Sequence, residues 1–215
     1  MSRIKQAWAI IRQNPAPLLG ITLAYSVIEF SLTKVMTPHF STISLGTFFG
    51  PDFFTILLGM LGFEVLRLIF ITGFFPMVLI ALDGGEISVS SFKLFMTKKR
   101  LMNMLILDAV VLPVLFAGLI LLIVPGVIWF IVSIMAYFIV AGDENAGILD
   151  SVSKSITITK GFRWIILGYL TVYFLLSMIS TMIPYFVVLL DTLLSALFYL
   201  VLALIYRECM NKNVG

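Results

Sequence analysis

Glu29, Glu64 and Arg67 each stand inside a long apolar run. Placing an ionisable side chain in hydrocarbon costs at least about 2.5–3.5 kcal/mol, so such residues are kept for a reason. Glu64 and Arg67 are spaced i, i+3 and share one face of a helix. At about 1.5 Å of rise per residue, Glu29 and Glu64 fall near the middle of their runs, with Arg67 one turn from Glu64. Consecutive helices usually pack side by side, so a buried Glu29–Glu64–Arg67 cluster is expected. Two carboxylates against one guanidinium leave surplus negative charge in low dielectric, which suits proton exchange or cation binding. The competing reading is an ion pair joining two helices, with the second carboxylate wetted by a cavity. Asp108 and Asp191 are secondary candidates. Asp108 lies a turn or two inside its run and can reach the interface. Asp191 begins its run, where an acid favours the helix dipole.

Other chemistry is sparse. Cys209 and His39 are the only residues of their types, so neither a disulfide framework nor a thiolate or polyhistidine metal site is expected. No Gly-rich phosphate loop, His-Glu-x-x-His, Gly-x-Ser-x-Gly or Cys-x-x-Cys occurs. The sequence therefore predicts no enzyme, no metal and no cofactor. With no basic soluble domain, a nucleic-acid partner is not expected either. Lys98, Lys99 and Arg100 form a basic patch, and each such residue contributes about 1 kcal/mol of attraction to anionic lipid.

The elements that must position these residues are membrane spans. Of 215 residues, 61% are hydrophobic and 12% charged. Soluble domains carry about 45–50% apolar and about 25% charged residues. Six apolar stretches are near the length a span needs: Leu18–Val35, Phe54–Leu82, Met102–Val124, Val127–Ala141, Trp164–Met182 and Phe186–Tyr206. They lack the alternation of barrel strands and exceed them in length. Pro125-Gly126 reads as a tight turn between the third and fourth. The long second stretch must tilt, kink near Pro76 or run into the interface. The outer loop over 36–53, with Phe48, Phe49 and Pro51, is expected to dip into the interface.

Of the fourteen Lys and Arg, only Lys34 and Arg67 fall away from one side of this layout. The positive-inside rule then puts both termini in the cytoplasm. Three segments on that side read as amphipathic interfacial helices. In the first, Ile4, Ala7, Trp8 and Ile11 share a face. In the second, Val89, Phe92, Phe95 and Met96 form a looser one. In the third, Ile148, Leu149, Val152 and Ile156 do, with Asp143 or Glu144 as the expected cap. The expected fold is thus all-α and polytopic: six transmembrane helices as three hairpins, each preceded by a cytoplasmic interfacial amphipathic helix. Residues 1–215 form one domain, with candidate repeats at 1–82, 83–141 and 142–206. Ala81-Leu82-Asp83 recurs as Ala141-Gly142-Asp143, and Thr97-Lys98 as Thr159-Lys160. Units inserted the same way round place any symmetry axis along the membrane normal.

The string Ile123-Val124-Pro125-Gly126-Val127-Ile128, then Gly142-Asp143-Glu144, Ser151-Val152-Ser153-Lys154-Ser155 and Thr159-Lys160-Gly161-Phe162-Arg163-Trp164, resembles the enterobacterial inner-membrane family YciC. It is also similar to the membrane domain fused to some glycerophosphodiester phosphodiesterases. The resemblance covers about a fifth of the chain by its motifs and implies a bacterial inner-membrane protein with an envelope role. It supplies no catalytic signature. Two functions stay open: transport or lipid handling through a polar cavity near the midplane, or a membrane scaffold or partner subunit. Membrane lipids, a second copy of the chain or another membrane protein are the expected partners.

Overall fold

The computed structural model describes residues 2–40, 52–121, 123–181 and 186–214. These are entirely helical: α1 (Arg3–Gln13), α2 (Pro15–Phe40), α3 (Asp52–Leu82), α4 (Val89–Phe95), α5 (Lys98–Leu121), α6 (Ile123–Gly142), α7 (Ile148–Ile158), α8 (Arg163–Thr181) and α9 (Val187–Val214). No strand occurs among the described residues. Six helices, α2, α3, α5, α6, α8 and α9, are long and apolar enough to cross a membrane, which makes this a multi-pass membrane protein. Residues 41–51 of the expected outer loop lie outside the described residues.

The six long helices divide into two sets. The apolar windows of α3, α6 and α9 are 67%, 61% and 44% buried, against 22%, 22% and 11% for α2, α5 and α8. The first set is therefore the centre and the second the periphery. Contacts follow a cyclic order: α2 packs on α3 and α9, α5 on α6 and α3, and α8 on α9 and α6. Peripheral helices expose large apolar side chains such as Ile28, Phe116 and Phe174, as surfaces facing lipid should.

Aromatic rings link the centre. Tyr25 stacks on Phe70 at 4.2 Å and Phe70 on Phe74 at 4.7 Å, and Tyr199 of α9 meets both Phe70 and Phe74. Phe75 stacks on Phe138 at 4.3 Å, and Phe138 on Tyr206 at 5.6 Å. Offset ring pairs of this kind add about 0.5–1.5 kcal/mol each beyond their area burial.

One end of the bundle is tied by ions. Arg3 makes a fork to Glu208 at 2.9 and 2.6 Å, so α1 is fastened to the last turns of α9. That carboxylate makes the Arg3 guanidinium hold its proton more tightly than usual. Arg207 pairs with Asp83 just after α3, and Lys212 lies over the Phe162 ring just before α8. Arg100 meets Glu144 at 3.0 Å just after α6. Ala7 and Ile11 of α1 and Val152 and Ile158 of α7 are buried, while Trp8 and Leu149 are exposed. α3 ends in a Schellman turn, with Gly85 N–H on the Ile80 carbonyl and Gly84 N–H on that of Ala81. Gly84 supplies the left-handed φ of +76° this turn requires.

Two local expectations are corrected. Pro125 and Gly126 lie in the first turn of α6, not in a turn between helices. Among the described residues only Gly84 and Gly161 have positive φ. Pro is tolerated in a first turn because its missing N–H has no intrahelical role there. Gly126 serves close approach instead: a Cβ there would lie 2.7 Å from the Leu119 nitrogen of α5. Neither Asp143 nor Glu144 caps α7; Gly147 is its N-cap. Asp143 accepts from Asn145 N–H at 2.8 Å, and Glu144 is drawn to Thr97 and Arg100. Pro76 lies within a continuous α3.

The Gly126 contact generates a stability contrast. Gly126→Ala is expected to cost about 1–3 kcal/mol by overpacking against backbone. Gly20→Ala and Gly62→Ala, which meet nothing within 4 Å, are expected to be neutral or to stabilise by about 0.5–1 kcal/mol. Thermal unfolding in one detergent measures all three.

Candidate functional site

The ionisable residues of the long helices form two separate polar clusters. The first is built on Arg67. Glu64 lies one turn back on α3, and Arg67 Nη2 reaches its Oε1 at 2.5 Å. The same nitrogen donates to Asp108 Oδ1 on α5 at 2.6 Å. The guanidinium also lies over the Tyr137 ring of α6, 5.3 Å from its centroid. Tyr137 donates its hydroxyl to the same Asp108 oxygen. Three helices thus converge on one cation. Asp108 is 3% exposed and Tyr137 7%. Asp108 Oδ2 is buried without a hydrogen-bond partner.

This corrects the reading of Asp108. It is buried inside the bundle. About ten residues of helix separate it from the start of α5, roughly 15 Å, and it closes the ion pair that α3 presents. It takes the place expected for Glu29.

Glu29 belongs to a second cluster. Ser26, Glu29, Phe30 and Thr33 lie on one stripe of α2 and line a cavity of about 270 Å³. Tyr173, Ser177 and Ser180 of α8 and Asp191 of α9 line the rest. Ser26 donates to Asp191 Oδ2 at 3.3 Å, and Tyr173 and Ser195 hydroxyls meet at 3.1 Å. The expected trio is therefore split, and the reason is rotational. α2 sits between α3 and α9. The stripe bearing Ser26, Glu29, Phe30 and Thr33 borders α8 and α9, while Tyr25, one turn before Glu29, stacks on Phe70 of α3 at the edge of that stripe. Asp191 is the fifth residue of α9 and faces this cavity with Glu29.

The second cluster has an unusual charge balance. Two carboxyl groups share a small cavity with five hydroxyl-bearing side chains, and no Lys or Arg lines it among the described residues. Lys34 is nearby but lies over the Phe30 ring at 5.3 Å. Like charges in one low-dielectric space repel, and a proton or a small cation relieves them. Among the described residues, no three His, Cys, Asp or Glu side chains form a metal-ligand set.

The basic patch is also divided. Lys98 and Lys99 are exposed, and Lys99 donates to Asn145 at 2.5 Å. Arg100 is 8% exposed and turned inward, with Nη1 on the Phe95 carbonyl at 2.8 Å and Nη2 on Glu144. Helix α5 begins at Lys98, so the first turn rotates Arg100 away from its neighbours and towards the end of α6.

Sequence reasoning missed Tyr137, Ser26 and Tyr173. None is charged, and hydroxyls in apolar runs usually bond back to their own helix, as Thr22 does to Leu18. Tyr137 and Tyr173 carry no signal beyond being phenols at mid-span.

Removing Arg67 would leave Asp108 and Glu64 unanswered. Arg67→Leu is expected to destabilise by up to about 3–5 kcal/mol, the range for breaking a buried pair from one side. Tyr137→Phe keeps the ring beneath the cation and deletes the bond to Asp108, for about 1–3 kcal/mol. Denaturation in mixed micelles gives both values, and Arg67→Leu with Asp108→Asn and Glu64→Gln should recover part of the loss. No protein family, curated protein or solved structure matches the chain.

Proposed function

We propose that this chain is a non-enzymatic transport protein of the bacterial inner membrane, in which the Glu29–Asp191 cavity takes up a proton or a small monovalent cation. The observation that carries this reading is the pairing of two carboxyl groups in one hydroxyl-lined cavity among helices that are otherwise apolar. In the first cluster Arg67 sets one positive charge against the two acids Glu64 and Asp108, whereas no basic side chain in the lining of the second offsets the negative charge of its two acids. The second cluster leaves that charge to be met from outside. Ionisable groups in membrane helices are costly and are found along ion and proton pathways.

The same proposal includes a threefold plan. The repeats 1–82, 83–141 and 142–206 are each read as an interfacial helix followed by a hairpin, arranged about an axis along the membrane normal. The cyclic packing of α2, α5 and α8 around α3, α6 and α9 supports it. The ion-paired end, which collects nearly all the Lys and Arg, is read as cytoplasmic by the positive-inside rule. The likeness to the YciC family is consistent with this location and plan.

The test is flux into proteoliposomes loaded with a pH-sensitive or Na⁺- or K⁺-sensitive dye. The wild-type chain should carry protons or one of these cations above the empty-liposome background. Glu29→Gln and Asp191→Asn should each return the rate to background, while Glu86→Gln should not change it. Equal rates for wild type and Glu29→Gln would remove this cavity from the function.

A further inference from the structure

A second, larger cavity lies at the ion-paired end, where α3, α6 and α9 finish together. It measures about 480 Å³, within the range of small-ligand sites, about 300–1,000 Å³. Leu79 and Ile80 of α3, Ile139 of α6 and Tyr206 of α9 form apolar wall, and α7 and Phe95 close it. Its charged lining is evenly divided, with Arg100, Lys154 and Arg207 against Asp83, Asp143 and Asp150.

These groups are not all spent on one another. Arg207 pairs with Asp83 and Arg100 with Glu144. Each of these arginines still keeps a buried Nε–H with no acceptor. Lys154, Asp143 and Asp150 make no ion pair among the described residues. A simple anion entering the cavity would meet three carboxylates, and a simple cation would meet three basic groups. Only a ligand carrying both signs answers the whole lining. The unpartnered Nε–H groups of two guanidiniums together with a lysine ammonium match the several oxygens of a phosphate better than the two of a carboxylate.

We propose that this cavity binds a phosphate-bearing zwitterion with a primary ammonium, the chemistry of phosphoethanolamine, either free or as a lipid headgroup. The phosphate lies against Lys154 and the two guanidiniums, and the ammonium against Asp143 and Asp150. This site stands apart from the Glu29–Asp191 cavity, and neither reading needs the other.

Calorimetric titration of the full chain in detergent with O-phosphoethanolamine tests the soluble form. Nanodiscs of phosphatidylethanolamine or phosphatidylglycerol, with bound lipid counted by native mass spectrometry, test the lipid form. Saturable binding in either arm, and in the lipid arm retention of phosphatidylethanolamine over phosphatidylglycerol, supports the proposal and names the source. Inorganic phosphate, ethanolamine and β-alanine should each bind at least about tenfold more weakly than O-phosphoethanolamine, since each forfeits charge-assisted bonds. Lys154→Ala and Asp143→Asn should each weaken binding by about tenfold or more. Lys154 is exposed, and Asn at 143 preserves the turn acceptor, so both variants should fold; Lys154→Arg should retain binding. No binding in either arm, equal binding by the Lys154→Ala/Asp143→Asn double variant, or inorganic phosphate binding as tightly as the zwitterion would each overturn the assignment.

Discussion

A guanidinium among apolar helices has to be met by acids from whatever surrounds it, and that requirement organises the α3–α5–α6 side of this molecule. Arg67 takes Glu64 from its own helix and Asp108 from α5, and rests on the ring of Tyr137 from α6. Each group alone would cost several kcal/mol to bury. Together they fix the rotation of three helices, because a modest turn of any one would strand a charge. The apolar contacts around them are less demanding, since Leu, Ile and Val can exchange neighbours with little loss.

Aromatic rings lie between the second cluster and the first. Tyr25 lies one turn before Glu29 on α2, and it stacks on Phe70, which lies one turn beyond Arg67 on α3. Phe70 passes the contact to Phe74 and Tyr199. Ring stacks transmit displacement well because protein interiors are close-packed.

The number of apolar spans was legible in the sequence, because a helix that crosses hydrocarbon must be apolar along its length; the boundary between the third and fourth was set a few residues late, since α6 already begins at Ile123. The candidate charges were legible for the same reason. Their partners were not. Helices apolar on every side carry no stripe that tells which face turns inward, so Glu29 was assigned to α3 from adjacency alone. The stripe of Ser26, Glu29 and Thr33 meets α8 and α9 instead, and small hydroxyls in an apolar run give little notice of it. Asp108 was placed by its depth in its own apolar run, without weighing the acid-hungry Arg67 on a neighbouring helix. Pro125-Gly126 looked like a turn because that pair so often makes one; the same two residues also suit a helix start pressed against another backbone.

The Arg3–Glu208 fork joins residues separated by 205 positions. At a synthesis rate of about 5–20 residues per second, the fork's second partner emerges about 10–40 s after the first. Until then α2 lacks α9, one of its two long neighbours, and the Ser26–Glu29–Thr33 stripe faces lipid or the insertion machinery. Closure of the helices around α2 consequently waits for α9, and until it arrives Glu29 lacks the neighbour that brings Asp191.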